Sequence, residues 1–337
     1  MSDLTLDKPA PVAAPAASGP RPSLSDRLAL VPRSVWPFVV FGLLFVLGGA
    51  LRPSLFSVDA LLGTVAFAMI VAIASFGQTV AVVQGGIDLS VPNTIALSAL
   101  TFLTAVPRFG GVGALLLAVA AGLVVGLLNG IVIAKLDLSP IVTTIAMNGL
   151  LLGVILLNFD FSQLTDIPGF TRTLTADKFS LFGAHVAAVI PLGLALMLVL
   201  QALLSLTGWG RSLFLVGASA DMARLSGQPV DRIRILAYGL SGALAAFAGI
   251  VIVGFYAQTS TGMGTPYLLG SVAAVVVGGA SILGGRGSMI GTVGGALVLG
   301  QVATLVAIAN LGVNIQQLIY GLIILLVVTG YGRGGNS

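Results

Sequence analysis

The chain has 337 residues, 57% hydrophobic and only 8% charged, with a mean hydropathy of +1.10. A soluble domain carries about 25% charged residues, so a water-facing surface of that kind is excluded and the chain is an integral membrane protein. The net charge of +4 is too small to mark a nucleic-acid binder, and the absence of cysteine excludes disulfides and thiolate metal sites.

Residues 1–34 are rich in Pro and Ala between Pro9 and Pro22 and show no periodicity. We expect a disordered cytoplasmic tail. It lacks the basic start and short apolar core of a cleaved signal peptide. Residues 35–331 form the membrane domain, and 332–337 a second short tail. Apolar runs of membrane-span length predict helices rather than barrel strands. Ten spans are expected, near residues 36–51, 60–83, 91–106, 113–134, 140–158, 186–207, 235–256, 267–283, 290–308 and 314–330. The eighth is short and glycine-rich at its end, which predicts a broken or re-entrant segment. With both termini inside, eleven basic residues fall on the inner side and four on the outer, as the positive-inside rule requires. Residues 208–234 are then cytoplasmic and the long loop 159–185 is outside. The fold class is therefore all-α, with about ten transmembrane helices broken in places by glycine. Gly122, Gly126 and Gly130 in the fourth span match Gly287, Gly291 and Gly295 near the ninth. This small-xxx-small match admits an inverted five-plus-five repeat or a coincidence in a glycine-rich chain.

Taken in order, the first chemical signal is Val83-Gln84-Gly85-Gly86-Ile87-Asp88-Leu89-Ser90-Val91-Pro92-Asn93. Two glycines break a helix, and Ser90 can cap the next, with Pro92 tolerated in its first turn. Asp88 sits in the break. It reads either as the lining or hinge of a solute path, or as a helix-end cap. The amides and hydroxyls inside the spans include Gln78, Asn129, Thr143 and Asn148. They suit a path for a neutral, hydroxyl-rich solute, or helix–helix hydrogen bonds. His185, the only histidine, reads as structural or incidental.

Gly208 to Arg234 is the one long charge-rich segment between apolar runs. Ser219 followed by Asp221 reads as an N-cap with an acid in the first turn. Gly227 and Pro229 read as the stop. The helix between them is only about two turns long and would not persist alone in water. Held between spans, it makes sense as a docking element. Further on, Gly278, Gly279, Ser281, Gly284 and Gly285 form a glycine-dense break ahead of Arg286. No Gly-Lys-Ser/Thr occurs in the chain, so it carries no phosphate-binding loop of that type.

These three segments together resemble the permease subunit of sugar-type ABC importers, the ribose, arabinose and xylose permease family. The resemblance runs from Leu61 to Tyr331 and is strongest in Gly85–Ser90, Gly208–Gly249 and Ala273–Gly295. It implies a dimerising permease in a bacterial inner membrane, pairing with a second copy or a related permease amid membrane lipid. It also implies a separate ATPase subunit that binds the ATP, no cofactor on this chain, no enzymatic activity, and an extracytoplasmic solute-binding protein. Gly217, Ser219, Ala220, Asp221, Ala223, Arg224, Ser226 and Gly227 would couple to the ATPase. Gln78, Gly85, Gly86, Asp88, Ser90, Asn93, Asn129, Thr143, Asn148, Gly278, Gly279 and Ser281 would belong to the path. The chain departs from the Asn-Glu-Ala-Ala that many relatives carry ahead of Arg-Leu-Ser-Gly. Leu268 and Gly270 also stand where relatives often carry acids. The alternative function is an ion- or proton-coupled secondary transporter. That would ask for mid-span acids or histidines, for which Asp88 alone is placed.

Overall fold

The computed structural model describes residues 34–158, 167–181 and 183–333. The tail before residue 34, residues 159–166 and 182 of the long loop, and the last residues from 334 lie outside the described residues. Helix α1 is Trp36–Leu51, followed by a short 3-10 turn at Pro53–Phe56. Helix α2, Val58–Val83, starts at Ser57, whose hydroxyl accepts the Ala60 N–H. Helix α3, Val91–Lys135, holds 45 residues, and its only non-helical interior residue is Gly110 (φ 68°). Asn129 on its second half bonds Ser90 at its start, so the two halves lie side by side. Gly110 is therefore the tip of a helical hairpin, three residues after Pro107. Its arms are about 28 and 37 Å long at 1.5 Å per residue, each near the thickness of a bilayer core. The predicted third and fourth spans are these two arms.

Helix α4 is Pro140–Asn158 and α5 is Gly169–Thr175. Strands β1 (Lys178–Leu181) and β2 (Ala184–Ala187) pair antiparallel, with Lys178 opposite Ala187 and Leu181 opposite Ala184. His185 lies exposed on this small hairpin. The helix and hairpin within the long loop were not anticipated from the sequence. Helix α6 is Val189–Leu206, α7 is Gly208–Ala218, and α8 is Ala220–Leu225. Helix α9 is Val230–Tyr256, α10 is Pro266–Val277, α11 is Met289–Ile308 and α12 is Val313–Arg333. Among the described residues, six helices are long and apolar enough to cross a membrane: α2, α3, α4, α6, α9 and α11. Three more apolar helices are shorter: α1, α10 and the first part of α12. With 12 residues, α10 spans about 18 Å and cannot cross a core of about 30 Å by itself. The glycine-dense segment 278–287 continues it as turns, which is the break expected for the eighth span.

The core is built around α2 and α9, which are buried nearly all round, as helices apolar on every face must be. They cross at Gly77, where a β-carbon would lie 2.7 Å from the Ser241 carbonyl oxygen. The hairpin α3 packs along α9, while α10 and α11 pack on α2. Large apolar side chains on α1, α4, α6 and α12 face outward, among them Leu43, Val142, Leu198 and Leu322. In water that surface would be untenable; in lipid it is the expected one.

The two glycine ridges have different partners. Gly122, Gly126 and Gly130 press on the α9 backbone at Gly242, Tyr238 and Ile235. Gly291 and Gly295 press on Gly278 and Ala274, at the end of α10. An inverted repeat would seat the second ridge on α2, which of Gly287, Gly291 and Gly295 only Gly287 meets, at the Val83 side chain. Gly126→Ala should cost about 1–3 kcal/mol by overpacking, because its β-carbon would meet the Tyr238 carbonyl oxygen, which is backbone and cannot rotate away. The measurement is the thermal midpoint of the detergent-solubilised protein. Gly149→Ala, on the open face of α4 with nothing within 4 Å, should leave that midpoint unchanged.

Candidate functional site

The three segments singled out in the sequence meet at one end of the bundle. The Val83 carbonyl, last in α2, accepts the Gly285 N–H at 2.9 Å. Gly217, one residue before the end of α7, lies against that carbonyl and that N–H; a β-carbon on it would lie 2.6 Å from Gly285 N and collide with the Val83 oxygen. Gly284 lies against Gly217 in turn, and a β-carbon there would sit 2.9 Å from Gly85 Cα. Gly85, Gly284 and Gly285 take φ of 91°, 92° and 73°, a region that side chains disfavour. The junction is thus backbone against backbone, and that is why all four positions are glycine.

Helix α8 hangs from this junction by Ala218 and Ser219. The Ser219 hydroxyl accepts the Met222 N–H at 3.3 Å, which is the cap expected from sequence. The stop is also as expected. Gly227 takes φ 76°, its N–H reaches the Arg224 carbonyl, and the Gln228 N–H reaches the Ala223 carbonyl, a glycine C-terminal motif. Ala223 faces inward, while Met222 and Leu225 face out, Leu225 being 83% exposed. Arg224 lies 3.5 Å from Asp221 and 3.8 Å from Asp231, and Lys135 pairs with Asp231 at 2.8 Å. These exposed pairs are each worth about 0–1 kcal/mol, so they orient α8 more than they hold it. The Ser212 hydroxyl donates to Gln228 Oε1 at 2.7 Å, tying the stop back to α7. Helix α7 itself was not foreseen. Its start, Gly208-Trp209-Gly210, reads as a breaker, but the Thr207 hydroxyl caps it by accepting the Gly210 N–H. Leu283, 89% exposed, projects from the glycine turn packed on Gly217–Ala218. It joins Met222 and Leu225 as uncovered apolar groups at this end.

Behind the junction lies a buried bracket. Asp88, 2% exposed, accepts the Ser90 N–H at 3.0 Å and the Ser90 hydroxyl at 2.6 Å through Oδ1, and the Ser241 hydroxyl at 2.8 Å through Oδ2. Asn129 Nδ2 donates to Ser90 Oγ at 2.9 Å. One carboxylate therefore ties the α2–α3 turn to α9 and to the second arm of α3. Ser90 holds the N-cap position, but its backbone is already helical and its hydroxyl does not cap. It is spent on Asp88 and Asn129, which corrects the capping role expected for it. Gly86 is required here because the Tyr238 hydroxyl occupies the place a side chain would take.

The remaining predicted path residues are dispersed. Asn93 donates from its backbone N–H to Asn148 Oδ1 and from Nδ2 to the Asn148 carbonyl, joining α3 to α4. Gln78 and Thr143 are buried with no hydrogen-bond partner among the described residues. Gly278 packs on Gly291, Gly279 takes φ 90°, and the Ser281 N–H closes a turn onto the Arg286 carbonyl. A cavity of about 230 Å³ opens at the junction end among Gln84, Gly85, Asp137, Ser139 and Arg234. Of the predicted path residues, Gly85 alone lines it. A larger cavity of about 320 Å³ opens at the opposite end, where α9 ends and α10 and α12 begin. Tyr256, Tyr267, Gln316 and Tyr320 line it. None of these was singled out in the sequence, because tyrosines at span ends read as ordinary interfacial anchors.

Residues 60–328 match the family model described as the permease component of branched-chain amino acid transport systems. The chain belongs to this permease family. Among curated relatives, it is 31% identical over 294 residues to the ribose import permease protein RbsC of Escherichia coli (strain K12), covering 85% of this chain and 89% of that one. It is 31% identical over 308 residues to the autoinducer 2 import system permease protein LsrD of Photorhabdus laumondii, covering 88% and 90%. It is 33% identical over 297 residues to the autoinducer 2 import system permease protein LsrC of Yersinia pseudotuberculosis, covering 86% and 82%. The matched stretch of the permease takes in the junction, the bracket and both cavities, and leaves α1 outside.

Proposed function

We propose that the chain is the membrane subunit of an ATP-driven ABC importer for a neutral, hydroxyl-rich solute of sugar type. A separate cytoplasmic ATPase docks on α8, an extracytoplasmic binding protein delivers the solute, and a second permease copy or a related chain completes the path. The observation that carries this reading is the convergence of α8, the α2–α3 turn and the segment 278–287 on one backbone junction. A docking helix joined directly to two helix breaks can pass motion to the membrane domain, and the chain has no nucleotide loop of its own. Relatives that import ribose and autoinducer 2 support the solute class. The excess of basic residues at the junction end supports a cytoplasmic assignment for α8 and for both termini. Counting the two arms of α3 separately, and including the three shorter helices, supports ten spans. A secondary transporter is less well served, because Asp88, the one acid placed for ion coupling, already accepts three hydrogen bonds that tie helices together.

The test is purification of the tagged chain from its native membrane in mild detergent. An ATP-binding subunit should accompany it in about equal amount, with a binding protein recovered in the presence of solute. A chain that arrives alone, and that takes up solute in proteoliposomes under an ion gradient, would overturn the reading.

A further inference from the structure

The cavity at the end opposite α8 is assembled from four elements: the first half of α2, the end of α9 with the loop after it, the start of α10 and the start of α12. Its walls combine the rings of Tyr256, Tyr267 and Tyr320 with the polar side chains of Gln258, Thr259 and Gln316. Gln316 and Tyr320 are held in place. Gln316 Nε2 donates to the Tyr320 hydroxyl at 2.8 Å, and that hydroxyl donates to the Leu299 carbonyl at 3.0 Å. The bond pins the Gln316 amide at the cavity edge with its oxygen left to accept from a ligand. Flat aromatic faces beside amides and hydroxyls are what a pyranose, furanose or cyclitol ring needs. Its C–H face stacks on the ring, and its hydroxyls hydrogen-bond around the edge.

None of the lining residues is charged. An amino-acid zwitterion would bring an ammonium and a carboxylate with no counter-charge in reach, and desolvated unpaired charges are strongly disfavoured. The volume of about 320 Å³ is at the small end of ligand pockets, which run from about 300 to 1,000 Å³, so it suits one ring. The cavity closes inward at Val71 and Ile252. Ile252 lies eleven residues along α9 from Ser241, or about 16 Å, so the close Gly77–Ser241 crossing lies deeper in the bundle, below the cavity.

We propose that this cavity is the permease's own receiving site for one uncharged monosaccharide or polyol ring, at the end of the path opposite the ATPase. The proposal rests on the importer reading for what the permease carries, and adds where the solute is first held and why an amino acid is refused.

The natural chain has no cysteine, so Thr259→Cys places a single thiol in the wall. The whole importer carrying it, in lipid nanodiscs, is labelled with a maleimide. One sample contains a mixture of D-ribose, D-xylose, D-galactose and myo-inositol, and a second contains L-leucine, L-isoleucine and L-valine. The sugar and polyol mixture should slow labelling about tenfold when its binding member is at ten times its dissociation constant. The amino acids should not change it. Gly270→Leu in the same background should abolish protection. A β-carbon at Gly270 lies 3.8 Å from Tyr320, so a methyl fits and a leucine fills the space; Gly270→Ala should keep the protection. Ser260→Cys, a more exposed wall position, serves as the reporter if Thr259→Cys does not yield folded protein. Protection by the amino acids, or by neither mixture, overturns the proposal. The same preparations report whether an ATPase co-purifies. Its absence counts against the importer reading, whereas its presence without protection counts against the cavity alone.

Discussion

Asp88→Ala is expected to remove most of the folded permease from the membrane. Asp88 satisfies three buried donors at once: the Ser90 N–H, the Ser90 hydroxyl and the Ser241 hydroxyl. Truncation leaves them facing a void, and each unsatisfied buried group costs about 1–3 kcal/mol. Partial reorientation of the hydroxyls lowers the total to about 3–5 kcal/mol, a large part of a typical stability of about 5–15 kcal/mol. Asp88→Asn keeps the shape, and the Ser241 hydroxyl can rotate to accept from the new amide. It should cost about 1–2 kcal/mol through loss of charge-assisted bonds. The readouts are the monodisperse fraction after solubilisation, the thermal midpoint, and uptake per folded molecule. A bracket predicts that uptake per folded molecule stays close to wild type in Asp88→Asn. Uptake that falls about tenfold or more at unchanged midpoint would instead give the carboxylate a role in passing the solute.

The sequence revealed what depends on local chemistry. Apolar run length located the apolar helices, because each must satisfy its own backbone in lipid. Ser219 and Gly227 located α8 to within one residue, because a cap and a left-handed stop are made by the residues themselves. The gap between the apolar runs 91–106 and 113–134 divided α3 in two, and the structure places the turn at Gly110. What the sequence hid depends on partners far along the chain. Asp88 and Ser241 are 153 residues apart, so the choice between path and cap could not be made from either alone. Ser90 carries the residue type of a cap and is used as a bridge, since Asn129 reaches it from the other arm. The start of α7 looks like a breaker and is helical because Thr207 caps it and Gly210 packs on the end of α6. The tyrosine cavity draws on four elements, and each of its residues has an ordinary explanation when taken singly.

The glycine junction leads to the second large expected effect. Gly217→Val should leave the ATPase bound and hydrolysing while uptake falls by about a hundredfold, a change of about 2.7 kcal/mol in the productive step. The β-carbon at this position would meet the Val83 carbonyl oxygen and Gly285 N, both backbone. No rotamer relieves that contact, so the end of α7 must retreat from α2 and from the glycine turn. The docking face is not involved, because Met222 and Leu225 point away from the bundle. Helix α8 keeps its cap from Ser219 and its stop at Gly227. What is lost is the direct contact through which displacement of α8 reaches the Gly85 and Gly284 turns, so the pump should idle. Gly227→Ala is the control. It stands in open space and carries only the strain of φ 76°, about 1 kcal/mol, and should change uptake by no more than about fivefold. The paired measurements are ATP hydrolysis and solute uptake in the same proteoliposomes, with ATPase content quantified. If Gly217→Val loses the ATPase itself, the junction shapes the docking surface and does not transmit motion. If uptake is unchanged, the contact is packing only, and the link from α8 to the helix breaks must run elsewhere.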